Sequence, residues 1–163
     1  MRTRLDNVTR MNERVPLALL VPLRLFCGLI LVLEGWSKLK GDWLHGAPLL
    51  HTLDGWVDAH KTYQFFLPFV QTARAHPKIF GSLITAGELI IGTSMVLGVA
   101  TRLSAFLGAV MLFSFAFGAG QGLVPPGNAL LMGAIFVLFI VAPPGRVLGI
   151  DQGLRARLPR WMC

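Results

Sequence analysis

Apolar residues along this chain are gathered into long blocks rather than spread at amphipathic intervals. Four blocks stand out, at about 17–39, 79–100, 103–120 and 127–143, and from Leu103 to Gly145 there is no Asp, Glu, Lys or Arg. A helix needs about 20 apolar residues to cross the ~30 Å hydrocarbon core of a bilayer. Recognisable breaks bound the blocks: HPK before the second, ATR between the second and third, GQGLVPPGN between the third and fourth, and PPGR after the fourth. Proline removes a backbone donor and glycine admits positive φ, so both end helices. The pattern predicts an all-α polytopic membrane protein, one four-helix transmembrane domain over residues 1–163.

Between the first two blocks, residues 41–78 are mixed. Leu49, Leu50, Leu53, Trp56 and Val57 recur at helical spacing, and TYQFFLPFV adds an aromatic cluster. This predicts one or two interfacial helices with Trp and Tyr at headgroup level. A lid over the bundle mouth is the functional alternative.

The blocks are not uniformly apolar. In PLRLFCGLILVLEGWSKLK, residues 22–40, Arg24, Gly28, Leu31, Gly35 and Lys38 step by 4, 3, 4 and 3, which places them on one helical seam with Cys27 and Glu34 on its flank. In the second block Gly81, Thr85, Glu88, Gly92, Met95 and Val99 repeat the spacing, and the third offers Ser104, Gly108, Met111, Phe115 and Gly118. Small residues let helix backbones approach, and polar ones escape lipid by doing so. Three such seams predict a shared bundle interior.

At 1.5 Å per residue, Arg24 lies about 21 Å and Glu88 about 15 Å below a common outer surface. That depth predicts an Arg24–Glu88 ion pair near mid-membrane, with Glu34 and Lys38 pairing i to i+4 near the outer end. Ionisable residues inside a membrane mark function by default, whereas the alternative is a purely structural role in helix register.

Composition agrees. Of 163 residues, 54% are hydrophobic and 14% charged, against about 25% charged in an ordinary soluble domain. The net charge of +7 is carried at the ends and beside apolar blocks, which suits anionic headgroups and not nucleic acid. Arg2, Arg4, Arg10, Arg14, Arg102, Arg146, Arg155, Arg157 and Arg160 fall on one side. Lys38, Lys40, Lys61, Arg74 and Lys78, offset by Asp42, Asp54 and Asp58, fall on the other. By the positive-inside rule both termini face the cytoplasm, and 41–78 is extracytoplasmic. The polar N-terminus MRTRLDNVTRMNERV does not suit a cleaved signal peptide, which implies a retained first helix.

Candidate chemistry is sparse. Cys27 and Cys163 form no CxxC, and His45, His51, His60 and His76 all lie in the outer segment, so neither an iron–sulfur cluster nor an intramembrane haem is expected. There is no flavin fingerprint. His51, Asp54 and Asp58 do not have the spacing of a metal-ligand set, and no metal is expected.

The order Arg24, Gly28, Gly35, Lys38, then GELIIGTSMVLGVATRLSAFLGAVML with Gly87, Glu88, Gly92, Gly98, Thr101 and Arg102, then APPGRVLGID, resembles the DoxX family. These are small four-helix bacterial membrane proteins related to the DoxD subunit of thiosulfate:quinone oxidoreductase. The family often has serine where this chain has Gly149. The resemblance implies a multi-pass protein of the bacterial inner membrane that docks an oxidoreductase partner, or assembles with itself, and reduces or binds quinone. Such a ring needs an apolar slot, a few donors and a carboxylate able to handle protons. On that reading Arg24, Glu88, Glu34 and Lys38 are the candidate catalytic groups, and Arg24, Gly28, Gly35, Trp36, Lys38, Glu88, Gly92 and Phe115 the candidate cofactor site, with Trp43 a further possible wall. No cofactor is expected to be covalently bound. The alternatives are a small-solute permeation component, or a non-catalytic anchor or assembly factor docking through DQGLRARLPRWMC.

Overall fold

A computed structural model describes residues 2–121, 128–146 and 149–154. All regular structure among them is helical: α1 Arg2–Lys40, α2 Ala47–Asp58, α3 Leu67–Ala75, α4 Pro77–Leu97, α5 Thr101–Gly118, α6 Asn128–Val141 and the short α7 Asp151–Leu154, with three 3₁₀ turns between them. Residues 122–127, Arg155, Arg157, Arg160 and Cys163, on which part of the break pattern, the charge count and the docking tail rest, lie outside the described residues.

Three helices are long and apolar enough to cross a membrane: Leu17–Lys40 within α1, α4 and α5. The expected fourth crossing at 127–143 is helical over the 14 residues of α6. That is about 21 Å of helix, short of the hydrocarbon thickness, so among the described residues α6 does not match the expected length. The first helix is longer than expected and begins at Arg2. The break between the second and third blocks falls at Gly98–Ala100, because both Gly98 and Ala100 adopt left-handed φ there and end α4 before α5 starts.

Packing is by small residues inside and large ones outside. Buried positions of α5 are Thr101, Ser104, Ala105, Gly108, Ala109, Leu112, Ala116 and Gly118. Exposed positions include Leu25, Phe26, Leu29 and Leu33 on α1, Ile90 and Leu97 on α4, Phe106 on α5, and Leu131 and Val141 on α6. Water would not favour that belt, whereas lipid satisfies it, and small inward residues let van der Waals contact bind the helices. The chain is a multi-pass membrane protein.

α1 runs antiparallel to α4 with backbones nearly touching. A Cβ built on Gly92 would lie 2.8 Å from the Gly28 carbonyl oxygen, and one on Gly28 would lie 2.9 Å from Met95 Cβ. No side chain fits between the helices at that level. The interior beside this seam is a cluster of Cys27, Leu31, Ile91, Met95, Ala105, Ala109, Leu112, Phe136 and Phe139, drawn from α1, α4, α5 and α6.

Residues 41–76 form a cap over one end of the bundle. Leu49 and Leu53 of α2 meet Val70 and Ala73 of α3, with Trp43, Trp56, Phe66, Phe80 and Ile84 packed around them. The cap is tied down on both sides. Trp43 presents its carbonyl against Gly81, the Thr62 hydroxyl donates to the Gly118 carbonyl at 2.8 Å, and the Tyr63 N–H donates to the Phe117 carbonyl at 3.2 Å. Trp56 stands edge-on to Phe115 with ring centroids 6.1 Å apart.

Candidate functional site

Arg24 and Glu88 do not meet. Lys38 Nζ lies 2.8 Å from Glu88 Oε1 and 3.2 Å from Glu34 Oε2. The Glu34–Lys38 contact is the expected i, i+4 pair; the Arg24–Glu88 pair is replaced by Lys38–Glu88. The reason is register. α4 does not begin level with the end of α1, because its first turn rises past Lys40 to pack Gly81 on Trp43. Glu88 therefore comes opposite Gly35, where a Cβ would lie 3.1 Å from Glu88 Cβ. Arg24 is eleven residues from Gly35, about 16 Å along α1.

Arg24 sits at the opposite, turn end of the seam, 3% exposed. Its guanidinium lies against Gly98, where a Cβ would come 2.6 Å from Nη1, and the acid whose charge acts on it is Asp151. Asp151 is fully buried and holds the α4–α5 turn. Its Oδ1 accepts from the Ala100 N–H at 2.7 Å, and its Oδ2 from the Thr101 N–H at 2.9 Å and the Thr101 hydroxyl at 2.7 Å. Its own N–H donates to the Gly98 carbonyl at 2.9 Å. These bonds satisfy the first donors of α5, which have no partner within the helix. Gly145 touches Thr101 so closely that any side chain there would displace it. Gly98, Ala100 and Thr101 thus form one joint with Gly145, Gly149 and Asp151, far away in sequence. Asp151 was not singled out from sequence; the available signal was the buried Arg24, which requires an acid.

The cavity lies elsewhere. A half-open space of about 300 Å³ lies between α2, α3, α4 and α5, lined by Leu49, Trp56, Phe66, Ile84, Met111, Phe115 and further apolar side chains. Phe69, Leu83, Leu107 and Val110 also line it and are themselves exposed on the outer surface. The hydrogen-bonding side chains in the lining are Trp56 and Ser114, and the Ser114 hydroxyl donates to the Val110 carbonyl at 2.8 Å. α4 divides the two features. Ile84, Gly87 and Ile91 face the cavity, while Glu88 and Gly92 meet α1.

Of the residues expected around a ligand, Phe115 lines this cavity. Gly28, Gly35, Lys38, Glu88 and Gly92 form the α1–α4 seam instead, Arg24 belongs to the turn-end joint, and Trp36 is half exposed with Lys40 Nζ 5.2 Å from its ring. Trp43 faces Lys38, whose Nζ is 5.3 Å from the indole. Asp54 bonds Arg74, at 2.6 Å to Nη2 and 2.7 Å to Nε, and joins α2 to α3. Among the described residues no three His, Cys, Asp or Glu side chains converge on a metal position.

Comparison with known proteins gives a family. The DoxX family model matches residues 19–121, which takes in α1 from Leu19, the cap, α4 and α5. No curated protein and no solved structure matches the chain.

Proposed function

The chain belongs to the DoxX family, and from that premise we propose that it is the membrane subunit of a redox system, holding a lipophilic ring of the quinone class in the cavity beneath its cap. The observation that carries this reading is the cavity: about 300 Å³, almost wholly apolar and aromatic, with exposed residues of α3, α4 and α5 at its rim. A quinone is an apolar ring that travels in the bilayer, so it would enter laterally through that rim. Aromatic walls suit it; the Trp56 indole N–H is the donor its carbonyls could use, and Ser114 would serve only by giving up its bond to the Val110 carbonyl.

Electrons would come from a docked partner: the sequence has two cysteines, and its four histidines all lie between positions 45 and 76. The basic residues of the turn side favour a cytoplasmic location for both termini in a bacterial inner membrane, with the cap outside. A permeation path along the α1–α4 seam has little room, because Gly28 and Gly92 bring the backbones into contact there.

The test is extraction of the protein purified from its native membrane, followed by titration with a short-chain quinone while Trp fluorescence is read. Co-purifying quinone and saturable quenching are expected. A tightly held acyl lipid in its place, with no saturable quenching, would overturn the redox reading in favour of a non-catalytic anchor.

A further inference from the structure

The cap end of the α1–α4 seam holds an unbalanced charge. Two carboxylates, Glu34 and Glu88, share the one ammonium of Lys38 at 3.2 and 2.8 Å. The three side chains grade inward: Glu34 is 61% exposed, Lys38 12% and Glu88 5%. Glu88 Oε1 takes the Lys38 bond, while Oε2 is buried with no hydrogen-bond partner among the described residues. An ionised oxygen in that position lacks both water and a donor, which is far costlier than a neutral hydroxyl left unpaired.

Among the described residues nothing else packed against Glu88 supplies the missing positive charge. α5 has no ionisable residue from Leu103 to Gly118. In the turn after α1, Asp42 and His45 pair with each other at the surface. On the cap, Asp54 pairs with Arg74, and His51, Asp58, His60, Lys61 and His76 are exposed. Lys78, at the start of α4, is exposed as well. Lys40 lies on the Trp36 ring, and Arg24 is at the far end of the seam. A sodium ion would need several oxygen ligands, and a fully enclosed single oxygen does not provide them.

We propose that Glu88 is a proton-binding site inside the membrane domain, charged from the cap side through Glu34 and Lys38. A proton arriving on the exposed Glu34 carboxylate passes to Lys38 as Lys38 releases one to Glu88. Glu34 returns to its carboxylate, Lys38 stays an ammonium, Glu88 ends as the neutral acid, and no electron moves. Neutral Glu88 holds Lys38 less strongly, so the ammonium turns toward Glu34 and the cap end of the seam loosens. The site stands on its own geometry and needs no ligand in the cavity.

The experiment is infrared difference spectroscopy on the full chain reconstituted in lipid, stepped between about pH 6 and 9, above the range in which exposed carboxyls such as Glu34 take up a proton. A protonated carboxyl C=O band should appear as pH falls and be lost in Glu88→Gln. Glu34→Gln leaves Lys38 to Glu88 alone and should move the midpoint down by about one unit or more. A band that survives Glu88→Gln, the absence of any titrating band, or a band removed by sodium at fixed pH would each overturn the proposal. Should Glu88→Gln fail to fold, Glu34→Gln carries the test, and an unmoved midpoint overturns it.

Discussion

Asp151 accepts hydrogen bonds from both the N–H and the hydroxyl of Thr101, at 2.9 and 2.7 Å, across a sequence separation of 50 residues. Because the same carboxylate binds the Ala100 N–H and acts on Arg24, it closes three segments at once. Asp151→Ala removes a buried acid facing a buried base and is expected to cost roughly 3–5 kcal/mol. Asp151→Asn keeps one acceptor and costs less, about 1–3 kcal/mol. Denaturant unfolding in mixed micelles reads the difference, and equal losses for the two variants would contradict this account.

Lys38 is the only cation found on Glu88 among the described residues. Lys38→Met leaves that carboxylate buried and uncompensated, so about 3–5 kcal/mol should be lost. Reversing both charges, Lys38→Glu with Glu88→Lys, regains part of it. Full recovery is not expected, since an acid at position 38 would face Glu34 one turn away. Folded protein recovered from membranes is the readout, and a double reversal no better than either single one would argue against the pairing.

Two glycines should respond oppositely to a larger side chain. At Gly92 a Cβ would press on the Gly28 carbonyl oxygen at 2.8 Å, whereas at Gly55, within α2, nothing lies within 4 Å. Gly92→Ala forces the helices apart and is expected to cost about 1–3 kcal/mol. Gly55→Ala stabilises by about 0.4–1 kcal/mol, through helix propensity and a less flexible unfolded chain. Thermal midpoints that move in the same direction would count against the packing described.

Gly87 faces the cavity with only Met111 Sδ near its Cβ position, at 3.4 Å. Gly87→Leu fills the space without touching the α1–α4 seam. Quinone affinity should fall about tenfold or more, equivalent to about 1.4 kcal/mol, while the unfolding midpoint changes little. Undiminished fluorescence quenching would place the ligand outside the cavity.

The Asp54–Arg74 pair is a control. Its side chains are 38% and 36% exposed, so water and salt screen it. Arg74→Ala should cost no more than about 1 kcal/mol and leave ligand binding intact. A loss as large as that of Lys38→Met would mean that the cap, rather than the seam, limits stability.

Much of this was legible along the chain. The stepped spacing from Gly81 through Thr85, Glu88 and Gly92 to Met95 marks residues that are all buried, because a helix's faces follow from its 3.6-residue period alone, whereas Val99, the last of the series, lies beyond the end of α4 and is half-buried. The same rule gave Gly28, Leu31 and Gly35, which are also buried. The local Glu34–Lys38 pair needed no tertiary information, since i and i+4 are neighbours on any helix.

Which charge faced which was another matter. Spacing fixes the face of a helix but not its height against a neighbour, and the rise of α4 past Lys40 shifted the partner of Glu88 from Arg24 to Lys38. The cavity was hidden for a related reason: it is bounded by side chains from four helices, and only their mutual placement shows that Trp56, Ile84 and Phe115 leave space between them. The sequence by itself determined the membrane class, three of the crossing helices and the inward faces of α1 and α4, because these follow from local periodicity and composition. Tertiary structure alone decided the helix register, the Arg24–Asp151 joint and the site of the cavity, because each depends on contacts between residues whose separation along the chain carries no geometric signal.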